Sequence, residues 1–259
     1  MAPVTQGVAS RPRAYLRVQG PDAVSYLNRM LTNDVPAHVS ESADALLLTP
    51  KARVVAPVLV WRRGEDDVLL LTEPELGEPL QAQLLRMRFA AKCEVALEEH
   101  SSAIVLGGEE GIPNRDYGVP AVEVLDAGLE PTLSDDELER LRIEAGTPRF
   151  GREIDERVLP AEAGLDERAI SFSKGCFPGQ EPVARQRYRG KVNRRLRVLR
   201  VAGAPEPETP VVHGEKEVGR ITSAVGDVAL AYVRAEVPDD AELTVGGAPA
   251  RLHWPTERP

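Results

Sequence analysis

The sequence has only two cysteines, Cys93 and Cys176, and they stand 83 positions apart. One disulfide is conceivable at that spacing, but not the dense framework that stabilises small secreted domains. Histidine is as sparse, with His38, His100, His213 and His253 scattered along the chain. A permanent zinc or iron–sulfur site normally needs about four clustered Cys/His ligands, so no resident metal centre is expected. No run approaches the roughly 18 consecutive apolar residues of a membrane span. The start, MAPVTQGVASRPR, lacks a charged stretch followed by an apolar one, so no secretory signal peptide is expected. Phosphate-cradling loops, dinucleotide fingerprints and Ser/His/Asp arrangements are missing too. GVASRP and GGEEG lack the strand-then-helix context such loops require. These absences leave a soluble, cytoplasmic protein without a membrane partner as the expectation.

What is present is ordinary for a globular chain of 259 residues, with 42% hydrophobic and 28% charged residues. The net charge of −9 argues against general nucleic-acid affinity. Residues 185–200, RQRYRGKVNRRLRVLR, nevertheless carry eight Arg/Lys and no acid, leaving −17 on the remainder. Such a strip suits a local anionic partner, or else a solvated strand-and-turn surface.

The pattern predicts an α+β protein. VQGPDAVSYLNRMLTNDV reads as a strand end, a Gly20–Pro21 break and a helix with Ala23, Leu27, Met30 and Leu31 on one side. Thr32, Asn33 and Asp34 are placed to end that helix through side-chain-to-backbone hydrogen bonds. Strands are expected at 45–48, 53–61 and 67–72, then a helix over 75–89, then strands near 93–97, 103–106 and 119–125. Ser134 and Glu137 form a capping box ahead of a helix whose buried side carries Leu138, Leu141 and Ala145, with Gly146 as its stop. Strands mixed with helices, without regular βαβ alternation, favour α+β over a doubly wound sheet. After about residue 192 the runs LRVLRV, EVGRITSA, VALAYVR, AELTVGG and ARLHW, separated by turn residues, predict a small all-β barrel or sandwich. The expected division is 1–191 for the α+β region and 192–259 for the β domain.

Among chemically capable residues, Cys176 in KGCFPGQE has the richest surroundings. Lys174 lies two positions before it, Gly175 permits close approach, and a helix is expected at about 181–187. A thiol ahead of a helix N-terminus and near a lysine has its thiolate favoured. The plainer reading is a small buried hydrophobe, the one that suits Cys93. Glu144 is an acid in the last turn of its helix, where the helix dipole disfavours it. A salt bridge to Arg142, Arg149 or Arg152 accounts for it, as would a ligand presenting an N–H pair. Gln180 and Glu181 could cap or line a pocket.

Together these residues resemble a known family. KGCFPGQEPVAR resembles the signature of the YgfZ-type folate-binding proteins, relatives of the glycine-cleavage aminomethyltransferase that act in iron–sulfur cluster assembly or maintenance. GPDAVSYLNRMLTNDV, LRIEAGTPRFGREIDERVLPAEAGL, and RGKVNRRLRVLRV with the later GRITSA and ALAYVR are similar to the broader superfamily. The resemblance implies two intertwined α+β portions and a C-terminal β-barrel around a central folate channel. It implies tetrahydrofolate or a one-carbon derivative as cofactor, with Glu144 holding the pterin. Cys176 would be the working thiol at the channel rim, with Lys174, Gln180, Glu181 and Arg185 beside the ligand. It implies iron–sulfur proteins or assembly factors as partners, with tRNA reached through an iron–sulfur modifying enzyme; direct tRNA binding ranks last. One departure separates the branches. Aminomethyltransferases carry Gly-Gly-x-x-Asp-Asp with a catalytic carboxylate, whereas this chain reads ARVVAP from Ala52 to Pro57. The alternative, a folate-dependent one-carbon transferase, lacks its proton-transfer group there.

Overall fold

The computed structural model describes residues 6–253. Three β assemblies organise the chain. A five-stranded antiparallel sheet has the order β3–β4–β5–β2–β6. It is built from β2 (Ala14–Gln19), β3 (Ser42–Leu48), β4 (Val54–Arg62), β5 (Asp67–Thr72) and β6 (Glu94–Glu98). One face is covered by α1 (Ala23–Met30) and α2 (Gly77–Met87), whose Tyr26, Leu27, Leu80 and Leu84 meet Leu16, Val18, Leu47 and Leu70. The other face, Tyr15, Leu59, Leu69 and Leu71, packs against Ile112 and Leu125 of the second sheet. Burial on both faces explains why DVLLLT is a continuous apolar run rather than an alternating one. The predicted helix over 75–89 starts as a 3-10 turn, Pro74–Leu76, before becoming α-helical.

The second sheet has the order β1–β7–β9–β8, from β1 (Gly7–Ser10), β7 (Ser102–Leu106), β8 (Ile112–Asn114) and β9 (Ala121–Leu125). β1 and β8 carried too few apolar residues to be read from sequence. α3 (Asp135–Glu144) begins at Ser134 with the expected capping box. It ends at Gly146, whose φ of 71° is the left-handed stop that glycine supplies. Leu138 and Leu141 pack on the second sheet, and Ile143 packs on Val198, Val228 and Leu230 of the barrel. The helix is thereby wedged between two assemblies.

The third assembly is a closed six-stranded antiparallel barrel in the order β10–β13–β12–β11–β14–β15. Its strands are β10 (Arg194–Val201), β11 (Pro210–His213), β12 (Lys216–Val225), β13 (Val228–Arg234), β14 (Leu243–Val245) and β15 (Ala248–His253). β15 returns to pair with β10, which removes every open edge. Trp254, in the expected last strand, lies outside the described residues. Between α3 and the barrel run the short α4 (Leu165–Arg168) and α5 (Gln180–Arg189), so the α+β expectation holds with a true barrel at its end.

Candidate functional site

Two adjoining cavities, here the outer and the inner lobe, lie between the first sheet, the barrel and the segments that link them. The outer lobe, about 140 Å³, has apolar walls from Pro148, Leu165, Leu196, Val198 and Leu252. Polar groups from Arg115, Glu167, Arg168 and His253 edge it. The inner lobe, about 60 Å³, lies against the first sheet and is edged by Asp44, Pro57, Glu73, Asp116 and Arg168. Thr147, Pro148, Leu165 and Arg168 wall both lobes.

A line of ion pairs forms the polar wall. The Arg168 guanidinium donates to Asp44 Oδ2 at 2.7 Å, Asp116 Oδ1 at 2.5 Å and Thr147 Oγ1 at 3.3 Å. Asp116 also meets Arg13 Nη2 at 3.5 Å. Arg13 Nε donates to Glu123 at 3.0 Å. The fully buried Glu123 further accepts from Ser102 Oγ and Asn114 Nδ2. Burial alone would push the Asp116 carboxyl up, but Arg168 and Arg13 outweigh it and hold the group well below its ordinary range. This wall is preorganised for polar recognition, and Asp116 is no proton acceptor near neutral pH. Sequence reasoning missed Arg13, Asp44, Asp116 and Arg168, whose charged partners lie 52 to 124 positions away with no local motif.

The residues singled out from sequence lie elsewhere. The Glu144 carboxylate is 3.1 Å from Arg140 Nε and 3.0 Å from Arg200 Nη2, and both arginines also bind Asp227. It does not line the cavity; its neighbours Ala145 to Pro148 do. The expected salt bridge therefore exists with other partners. Arg142 turns inward to Glu139 and the buried Glu153, and Arg149 also pairs with Glu139. Of the basic strip, Arg185, Arg187, Arg194, Arg197 and Arg200 are ion-paired within the molecule, with Glu181, Asp166, Glu162, Asp239 and Glu144 respectively. Much of that strip is thus a neutralised surface.

Cys176 is an exposed free thiol, whereas Cys93 is buried in the core beneath α1 and α2. Gln180 and Glu181 open α5, and Glu181 pairs with Arg185 four residues on in solvent. None of Lys174, Cys176, Gln180, Glu181 and Arg185 lines the cavity. The loop that carries the cysteine nevertheless packs behind it. Phe177 and Val183 share a core cluster with the cavity residues Leu46, Ile154, Leu165 and Ala169. Gly179, at φ 84°, closes on the β3–β4 turn so tightly that a Cβ there would stand 2.6 Å from the Thr49 carbonyl oxygen. In that turn Ala52 keeps a left-handed φ of 59°, a glycine-like backbone without glycine. Five residues on, Pro57 lines the inner lobe.

Comparison with known proteins agrees with this architecture. A family model described as the CAF17 C-terminal beta-barrel domain matches residues 193–259. The iron-sulfur cluster assembly factor IBA57 homolog, mitochondrial, of Pyricularia oryzae is 27% identical, covering 93% of this chain and 74% of that protein. An uncharacterized protein of Haemophilus influenzae is also 27% identical, over 88% and 87% of the two chains. The aminomethyltransferase of Moorella thermoacetica is 28% identical over 85% of this chain and 76% of its own. The crystal structure of glycine cleavage system aminomethyltransferase T from Bartonella henselae superposes with a TM-score of 0.83. That match covers 98% of this chain and 87% of that one at 19% identity, which shows a common fold. The chain is thus similar over most of its length to the IBA57 homologue and to an aminomethyltransferase, and it shares the fold of glycine cleavage system aminomethyltransferase T.

Proposed function

We propose that this protein is a reduced-folate-binding accessory factor in iron–sulfur cluster assembly or maintenance, working through the Cys176 thiol. The observation that carries the reading is a paired contrast. Pro57 stands in the cavity wall where the transferases have an acid, while Cys176 is held out to solvent on the branch-specific loop. The similarity to the IBA57 homologue over 93% of the chain supports the iron–sulfur setting. In that role it would act in the cytoplasm beside iron–sulfur proteins, tRNA-modifying enzymes among them.

The cavity residues fit a pterin ring. An apolar cavity of roughly 150 Å³ takes one benzene ring, so a two-ring pterin would occupy the lobe of about 140 Å³ together with the adjoining one of about 60 Å³. Leu165, Leu196, Val198 and Leu252 would pack its faces, and carboxylates at Glu167, Asp44 and Asp116 have lone pairs to offer an N–H edge. A longer ligand can continue into the adjoining groove, which shares Gly164, Glu167, Leu196 and Arg197 with the outer lobe. A bound tetrahydrofolate would supply a carrier for a one-carbon unit. The role left to Glu144 is to pin the end of α3 to the barrel, and so to fix the wall segment 145–148.

The transferase alternative keeps support from the aminomethyltransferase relatives and the shared fold. Against it stand the missing acid at 52–57 and an Asp116 already neutralised by two arginines. Calorimetric titration with tetrahydrofolate tests the ligand. Saturable binding that weakens on Leu165→Arg, which fills the outer lobe, is the expected result. Absence of binding, or binding indifferent to that change, would refute the pterin site.

A further inference from the structure

The Thr32–Asn33 segment, expected to close α1, instead serves as a bracket for the cysteine loop. Thr32 is fully buried, and its Oγ1 accepts from the Leu46 amide at 2.8 Å and donates to the Ala169 carbonyl at 2.6 Å. Its own carbonyl accepts from the Ser171 amide at 2.9 Å. Asn33 is fixed by its Nδ2, which donates to the Asp44 carbonyl at 2.8 Å. Onto this bracket closes Lys174, whose Nζ donates to the carbonyls of Leu31 at 2.9 Å and Asn33 at 2.5 Å. Beyond the cysteine, Phe177 is buried and Gly179 locks into the β3–β4 turn. Gly175 and Cys176 form the crown between these two anchors, both exposed.

We propose that Lys174 is a positioning residue: its ammonium, anchored on the Leu31 and Asn33 carbonyls, holds the crown on which Cys176 is presented. Three features support this. The ammonium makes no ion pair among the described residues, so it is not simply neutralising a carboxylate. Its partners are fixed main-chain oxygens, which specify position rather than charge. The loop's other long anchor, Phe177, lies beside it, the ring centroid 5.9 Å from Nζ. Burial lowers the Lys174 pKa to about 8, opposed by Asp34. The bracket also touches the ligand cavity, because the backbone of Asp44 holds Asn33 while its carboxylate holds Arg168.

The inference rests on Cys176 being the working thiol, and its test separates from that reading. In the full-length protein, Lys174→Met removes the ammonium at similar size, and Lys174→Arg retains the charge. Thr32→Val cuts the bracket from the other side, should the lysine variant fail to fold. Iodoacetamide labelling of Cys176, resolved from Cys93 by peptide mass mapping, and hydrogen exchange of residues 171–176 are the readouts, with urea stability and tetrahydrofolate affinity measured beside them. Loss of the anchor is expected to speed loop exchange by about tenfold and to change the Cys176 labelling rate, with folate affinity kept and partial rescue by Lys174→Arg. Unchanged exchange and labelling would overturn the assignment. So would a fall in folate affinity with the loop undisturbed, which would make Lys174 a ligand-holding group. If Cys176→Ser proteins still support iron–sulfur enzymes in cells, the thiol reading fails while the loop measurements still decide the role of Lys174.

Discussion

In and behind the cavity wall every charged side chain from Asp44 through Arg168, Asp116 and Arg13 to the buried Glu123 meets an opposite charge. The cysteine loop, packed behind that wall, sets its Lys174 ammonium on neutral carbonyls and leaves its thiol in solvent. The two regions share one core cluster but solve different problems. Charges removed from water must be paired, and the pairing fixes geometry more than it adds stability. A reactive group must stay accessible, so it is held by its neighbours in the chain and by few contacts of its own. The wall is therefore expected to break with the fold, and the crown to change without it.

The largest expected effect lies in the wall. Arg13→Met leaves the fully buried Glu123 carboxylate without its guanidinium and should cost about 3–5 kcal/mol in urea unfolding. A loss below about 1 kcal/mol would show that Ser102 and Asn114 alone satisfy Glu123. A smaller effect is expected on acidification. Asp116 is depressed from its ordinary 3.8, so its contribution is complete above that value and is lost as pH falls through the folded pKa. Asp116→Asn should flatten the stability profile below pH 3.8, and an unchanged acid limb would assign that loss to other carboxylates. The smallest effect belongs to the crown. Cys176→Ser should alter stability by no more than about 0.5 kcal/mol, as for other exposed positions without special contacts, while abolishing support of iron–sulfur enzymes. A stability loss above about 1 kcal/mol would show that the thiol is structural after all.

The elements were legible wherever the signal is local. The capping box at Ser134, the glycine stop at Gly146, the hairpin joining β4 to β5 and the β-rich tail all depend on residues within a few positions of each other. β1 and β8 were not legible, being three or four residues long and held by partners in distant strands. Of the candidate site, Cys176 stood out through its motif. Glu144 stood out for the right reason, an acid at the wrong end of a helix. Its compensating partners were misjudged: Arg140 pairs locally, four residues before it, while Arg200 lies 56 positions away and Arg142 is drawn to Glu153. Thr32 and Asn33 look locally like a helix stop, and their real partners, Ala169, Ser171 and Lys174, come from the far side of the chain.

By itself the sequence determined the α+β composition, a β-rich C-terminal tail, the KGCFPGQE motif and the lack of an acid at 52–57. Each is a matter of residue identity or short-range periodicity. Only the tertiary structure decided that Pro57 faces the cavity and that Glu144 does not. It also set Lys174 to serve the cysteine loop and built the polar wall from residues as far apart as Asp44 and Arg168. The physical reason is common to the last three. A charged side chain takes whichever partner the folded chain brings within about 3 Å, and no local pattern encodes which distant partner that is.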